Sequence, residues 1–200
     1  MKVLKAAVLR LCSGEQVWRA RGGRGLATGA GGGCGGGLGE PREGPGPGLR
    51  AFALRELRWR LSDLPGYVKA VLLFGSVARG EAGERSDVDL LILHSGAPVS
   101  DPVERRRHLY KLVAERLEGV FESVTVIDTE LEQFLKPGTV TPLLLNIYAD
   151  AVVVVDRVGG IEEFLQRVRG RIRELGLLRV RDGRAYYWVL PKPLEKVELL

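Results

Sequence analysis

Phe74-Gly75-Ser76-Val77-Ala78-Arg79-Gly80 and, five residues further on, Ser86-Asp87-Val88-Asp89-Leu90 carry most of what this 200-residue chain says about its architecture. The first segment closes Tyr67 to Phe74, an apolar run of strand length, with a glycine and a hydroxyl that open a short helical turn ending near Arg79 or Gly80. Such a strand-to-helix turn leaves its leading backbone N–H groups without intrahelical partners, an arrangement that favours an anion. The second segment sets two carboxylates at i and i+2 of a strand predicted over 86–93. Period-2 geometry places Asp87 and Asp89 on one face, with Cα atoms about 6.5–7 Å apart. Leu90 to Leu93 is wholly apolar and suits a central strand, where neighbouring carboxylates repel unless cations lie between them. Two divalent ions roughly 3.5–4 Å apart are a general device for in-line displacement at phosphorus. Magnesium fits a site with few protein ligands because it retains water and takes phosphate oxygens.

The flanking sequence supplies a scaffold for that pair. Leu54, Leu57, Leu61 and Leu64 recur at helical spacing until Pro65-Gly66 forces a turn. Asp101-Pro102 reads as an N-cap followed by proline in the first turn, and Leu109, Leu112, Val113 and Leu117 form the apolar face of a helix that Gly119 ends. A third strand is predicted over 121–127, then a short helix around Glu130 to Leu135, a helix opened by Thr141-Pro142, and a strand over 151–155. Ile161, Phe164, Leu165, Val168, Ile172 and Leu175 define a further amphipathic helix ending at Gly176. Residues 178–181 and 184–190 flank Asp182-Gly183, a strong hairpin signal. The expected fold is mixed α/β: a small twisted sheet holding the Tyr67, Ser86 and Phe121 strands, helices packed on one face, and a C-terminal helix-plus-hairpin addition. The expected division is a domain over 49–157 with 158–200 as its extension.

Composition excludes several classes. The chain is 45% hydrophobic and 28% charged, ordinary for a globular protein, and its net charge of +5 sits in one place. Residues 1–50 hold eight basic and three acidic groups, whereas 51–200 balance at 22 of each, so the globular part gives no support for a phosphate-backbone binder. From Arg21 to Gly48, 17 of 28 residues are Gly or Pro, which predicts a disordered tail over 1–48. Gly31, Gly33 and Gly36 match GxGxxG there only as chance allows in polyglycine. Cys12 and Cys34 have no CxxC or His neighbours, and thus no metal-site pattern. The apolar run Ala6 to Leu9 is too short for an export signal, and no later run reaches a spanning length, so a cytoplasmic location without membrane contact is expected. One Asn and three Gln among many charges lean toward a thermophilic source.

The pairing of GSxARG with SDxDL resembles the signature of the polymerase-beta-like nucleotidyltransferase superfamily, and the chain is similar in size to its minimal members. The Tyr186-Tyr187-Trp188-Val189-Leu190-Pro191 stretch resembles the end of archaeal stand-alone members. The resemblance implies a transferase that moves a nucleoside monophosphate from an NTP, with ATP first in line, to a hydroxyl acceptor. Gly75 and Ser76 would contact the β- and γ-phosphates, Asp87 and Asp89 would bind two Mg2+ ions, and Arg79 and Ser86 match the residues beside the turn and before the first carboxylate. Members commonly supply a third carboxylate from a later strand. No hydrophobic-Asp-hydrophobic pattern occurs there, and Glu122 is the best substitute as metal ligand or base.

Other readings compete. Minimal members often pair with a small helical HEPN-type partner, which makes a catalytically weak antitoxin-like module, or a homo-oligomer, an alternative. An aminoglycoside-type enzyme is a further one, disfavoured because a neutral domain offers no acidic groove for a polycation. Taken alone, Ser76 would be a simple N-cap, Arg79 a surface charge, and Arg105-Arg106-Arg107 a solvated helix face. Asp128 reads as a cap for the helix at Glu130, His94 and His108 as structural or solvent-facing, and Tyr186, Tyr187 and Trp188 as sheet packing.

Overall fold

The computed structural model describes residues 48–83, 86–183, 185–191 and 199. The tail over 1–47, with both cysteines and the glycine triplet, lies outside the described residues. The chain runs α1 (Gly48–Arg60), β1 (Val68–Phe74), α2 (Gly75–Arg79), β2 (Val88–His94), α3 (Pro102–Leu117), β3 (Val124–Glu130), α4 (Leu131–Leu135), α5 (Pro142–Asp150), β4 (Val152–Asp156), α6 (Ile161–Glu174), β5 (Leu178–Asp182) and β6 (Ala185–Val189). Four strands form a mixed sheet in the order β3-β2-β1-β4. β1 runs antiparallel to β2 and β4, and β2 runs parallel to β3. β5 and β6 make a separate antiparallel hairpin around Gly183, whose φ of 59° suits glycine.

The mixed α/β sheet is as expected, but the helices, expected on one face, cover both. Val71 and Leu73 of β1 and Leu90 and Ile92 of β2 pack with Leu57 of α1 and Leu109, Val113 and Leu117 of α3. The alternate residues Ala70, Leu72, Leu91 and Leu93 pack with Phe134 of α4, Tyr148 of α5 and Phe164, Leu165 and Val168 of α6. The reason lies in the strands, which are apolar at successive positions rather than alternate ones, so neither face can be left to water. In the second core Phe134, Tyr148 and Phe164 meet with ring centroids 5.1–5.7 Å apart, and the Tyr148 hydroxyl donates to the Phe134 carbonyl at 2.5 Å.

Local signals fix the ends. Asp101 Oδ1 accepts from the Val103 and Glu104 amides at 3.0 and 2.9 Å, with Pro102 starting α3, and Thr141 Oγ1 accepts from Leu144 N at 3.1 Å ahead of α5. Asp156 is a cap that sequence periodicity does not reveal: its carboxylate accepts from the amides of Val158, Gly159 and Ile161, turning the chain from β4 into α6. Among the described residues no helix is long and apolar enough to cross a membrane.

Candidate active site

Antiparallel pairing sets Phe74, the last residue of β1, opposite Asp89 in β2, so the turn after β1 meets the carboxylate pair directly. Gly75 has φ +76°, and a Cβ built on it would lie 2.0 Å from Asp89 Oδ2. Only a residue without a side chain both adopts that backbone and leaves room for the carboxylate. Phe74 contributes no side-chain cap to α2, and Ser76 lies inside the first turn instead of capping it. Gly80, left-handed at φ 73°, ends the turn, and the Glu81 amide bonds back to the Ser76 carbonyl at 2.9 Å.

Asp89 shares its strand face with Leu91 and Leu93, which belong to the second core; Asp87, expected inside the strand, precedes β2, and both aspartates are half-buried. Ser86, expected near the nucleotide, closes the approach loop: its hydroxyl accepts from Gly83 N at 2.8 Å while its amide donates to the Gly83 carbonyl at 3.0 Å. The structure therefore brings Gly75, Ser76, Asp87, Asp89 and Ser86 to one end of β1 and β2.

Glu122 lies toward the same end of the sheet, just ahead of β3. It is exposed, and among the described residues no three His, Cys, Asp or Glu side chains gather to hold a metal. The parallel register sets Thr125 level with Asp89, and Thr125 is 7% exposed between Val124 and Val126, which serve the other core. The position beside Asp89 thus carries a hydroxyl. Glu122 borders the start of β2, since the carbonyl of its neighbour Ser123 accepts from Val88 N at 3.0 Å.

Arg79 is no loose surface charge. Its Nε donates to Glu81 at 2.8 Å, its Nη1 lies 3.4 Å from Asp150 Oδ2, and its guanidinium stacks 4.8 Å from the Tyr186 ring centroid. Burial works against the Arg79 cation, but Glu81, Asp150 and Tyr186 outweigh it and raise its pKa. Hydrogen bonds from the Tyr186 hydroxyl and from Arg79 hold the Glu81 carboxyl below its ordinary value. A cavity of about 560 Å³ opens beside Arg79, lined also by Arg50, Asp150, Arg169 and Arg179. Asp150 and Tyr186 were invisible as members of this site because they meet Arg79 and Glu81 across 71 and 105 residues of sequence; a local hint was the aromatic run of β6.

At the other end of the same strands lies a second polar cluster. Asp128 accepts from Arg105 Nε at 2.7 Å and Arg106 Nε at 3.2 Å, and pairs with His94 Nε2 at 3.2 Å; the His94 and Asp128 side chains have no exposure. Asp128 is therefore a buried hub and not a helix cap, and Arg105 and Arg106 point inward from α3 instead of into solvent. Burial pushes the Asp128 carboxyl up, but the two arginines outweigh it and hold it below the ordinary carboxylate range. His108 meets the Tyr67 hydroxyl at 2.7 Å.

The profile of the family described as nucleotidyltransferase domain matches residues 54–177. A chain of Methanocaldococcus jannaschii named "Putative protein adenylyltransferase" is 29% identical over 106 residues, which span 53% of this chain and 71% of that one. A solved structure of a "putative nucleotidyltransferase" from Sulfolobus solfataricus is 21% identical with a TM-score of 0.35, covering 56% of this chain and 83% of that one. A tri-AMPylated HEPN toxin of Shewanella oneidensis in complex with MNT antitoxin supplies another similar chain, 14% identical with a TM-score of 0.35, covering 63% and 94%.

Proposed function

The chain belongs to the nucleotidyltransferase-domain family, with the match spanning both the glycine turn and the aspartate pair, and from that premise we propose that it moves a nucleoside monophosphate from an NTP, ATP first, to a hydroxyl acceptor. The observation that carries this reading is the fit of Gly75 to Asp89, where a glycine with positive φ makes room for a carboxylate oxygen that any side chain would displace. In the proposed reaction the acceptor oxygen forms a bond to the α-phosphorus as the bond to the bridging oxygen breaks. Pyrophosphate leaves, and the hydroxyl proton passes to a base or to water.

The site fits magnesium in the sense that two carboxylates meet a backbone turn suited to phosphates, with the remaining ligands left to phosphate and water. Asp87 and Asp89 would hold it, and when bound it supplies charge neutralisation on the phosphates and activation of the attacking oxygen. Gly75 and Ser76 would take the β- and γ-phosphates on the turn, and Arg79, fixed by Glu81 and Asp150, would add positive charge beside them. Glu122 is assigned to the acceptor side, as a solvent-exposed base at the entrance to β2 and not as a metal ligand.

The test uses equilibrium binding of MgATP together with transfer of label from α-labelled ATP. Wild type is expected to bind and Asp89→Ala not to; equal binding by both removes the metal assignment. A second reading, an interaction module for a HEPN-type helical partner, is favoured by one observation. Leu178, Val180, Tyr187 and Val189 share the outward face of the hairpin and are 36–64% exposed.

A further inference from the structure

Three guanidinium groups converge on one ring at the inner face of the hairpin. Arg79 lies 4.8 Å, Arg179 4.7 Å and Arg181 5.9 Å from the centroid of Tyr186. The Tyr186 hydroxyl donates to Glu81 Oε1 at 2.6 Å, and Glu81 Oε2 receives Arg79 Nε at 2.8 Å. Glu81 belongs to the loop that leads from α2 to Asp87. Arg179 Nη1 donates to Asp150 Oδ2 at 2.5 Å, the same oxygen that Arg79 approaches, and Trp188 Nε1 donates to Asn146 Oδ1 at 2.9 Å, so the hairpin is also fastened to α5. It lies beyond residue 177, where the family match ends. A two-stranded hairpin has little stability of its own, and this one is held by charged and ring contacts to Arg79, Glu81, Asp150 and Asn146.

We propose that the β5–β6 hairpin braces the site, with Tyr186 as a positioning residue that fixes Arg79 and, through Glu81, the loop delivering Asp87 and Asp89. The loop contains Gly80 and Gly83, whose backbone freedom makes an external restraint effective. With the ring in place, the order that nucleotide binding needs is already present; without it, that ordering cost falls on the binding step. The brace rests on the nucleotidyltransferase reading only for what Arg79 and the aspartates hold.

The experiment compares wild type, Tyr186→Phe, Tyr186→Leu and Tyr187→Leu, the last substituting the outward face. Backbone hydrogen exchange over 75–89 is measured without nucleotide, and affinity is measured for a non-hydrolysable ATP analogue with Mg2+. Tyr186→Leu is expected to speed exchange of the loop and to weaken affinity about tenfold. Tyr186→Phe keeps the stacking, loses the Glu81 bond and is expected to weaken affinity about two- to threefold; Tyr187→Leu leaves both readouts at wild-type values. Exchange in Tyr186→Leu that matches wild type overturns the brace, and so does faster exchange with unchanged affinity. If wild type binds no nucleotide while Tyr186→Leu still loosens the loop, the restraint stands and the nucleotidyltransferase reading is what fails.

Discussion

The two ends of β2 and β3 set carboxylates in different surroundings. At the far end Asp128, with no side-chain exposure, is compensated within the protein by Arg105, Arg106 and His94. At the near end Asp87 and Asp89 are half-buried, and a glycine turn with no side chain to obstruct it comes up against Asp89, where the proposed function takes the nucleotide. The same residue type is thus a structural hub where arginines from α3 reach it and, in the function proposed above, a ligand site where a tight turn approaches it. Burial does not separate the two roles, because the more buried carboxylate is the structural one; the nature of the neighbour does.

That contrast can be broken most sharply at the near end. Asp89→Ala is expected to reduce transfer from α-labelled ATP on the order of 10³-fold while the melting temperature holds. Gly75→Ala is expected to come close to it in MgATP affinity, since its Cβ would occupy the place of Asp89 Oδ2, 2.0 Å away, on a backbone with φ +76°. At the far end Asp128→Ala is expected to lower stability by about 3 kcal/mol, seen as a melting temperature lower by roughly 6–12 °C, because two arginines lose their counter-charge. Nucleotide affinity per folded molecule should stay within twofold. An Asp128→Ala protein of unchanged stability that cannot bind ATP would dissolve the distinction between the two ends.

Acid sharpens the same point. The Asp128 pKa is depressed in the folded protein, so its contribution to stability is fully present above the unfolded carboxylate value of about 3.9 and is lost as pH falls through the folded value. Melts of wild type below pH 4 should therefore show a steeper loss than those of Asp128→Asn, whose stability is already reduced and varies less with pH there. The smallest effect is expected at Glu122, where Glu122→Gln should lower the transfer rate about tenfold or less and leave MgATP affinity untouched. A matching loss of MgATP affinity would make Glu122 a metal ligand after all.

Much of this was legible from residue order. The strand-glycine-hydroxyl turn and the i, i+2 aspartates are local patterns, although β2 begins at Val88 and Asp87 stands just ahead of the strand expected to hold both. The Asp101-Pro102 and Thr141-Pro142 starts and the Asp182-Gly183 hairpin are likewise fixed by neighbours in sequence. Asp128 shows the limit. Followed by a helix, it reads as a cap, and only the packing of α3 against β3 shows that Arg105 and Arg106 claim it. Glu122 was the best carboxylate by pattern, yet the register places Thr125 beside Asp89.

The sequence by itself determined the turn, the aspartate pair and the order of elements, because each depends on backbone preferences and spacings within a few residues. Tertiary structure decided which face each helix covers, which charges neutralise one another, and that Tyr186 reaches back 105 residues to Glu81. Those outcomes depend on which side chains meet across space, and residue spacing along the chain holds no record of them.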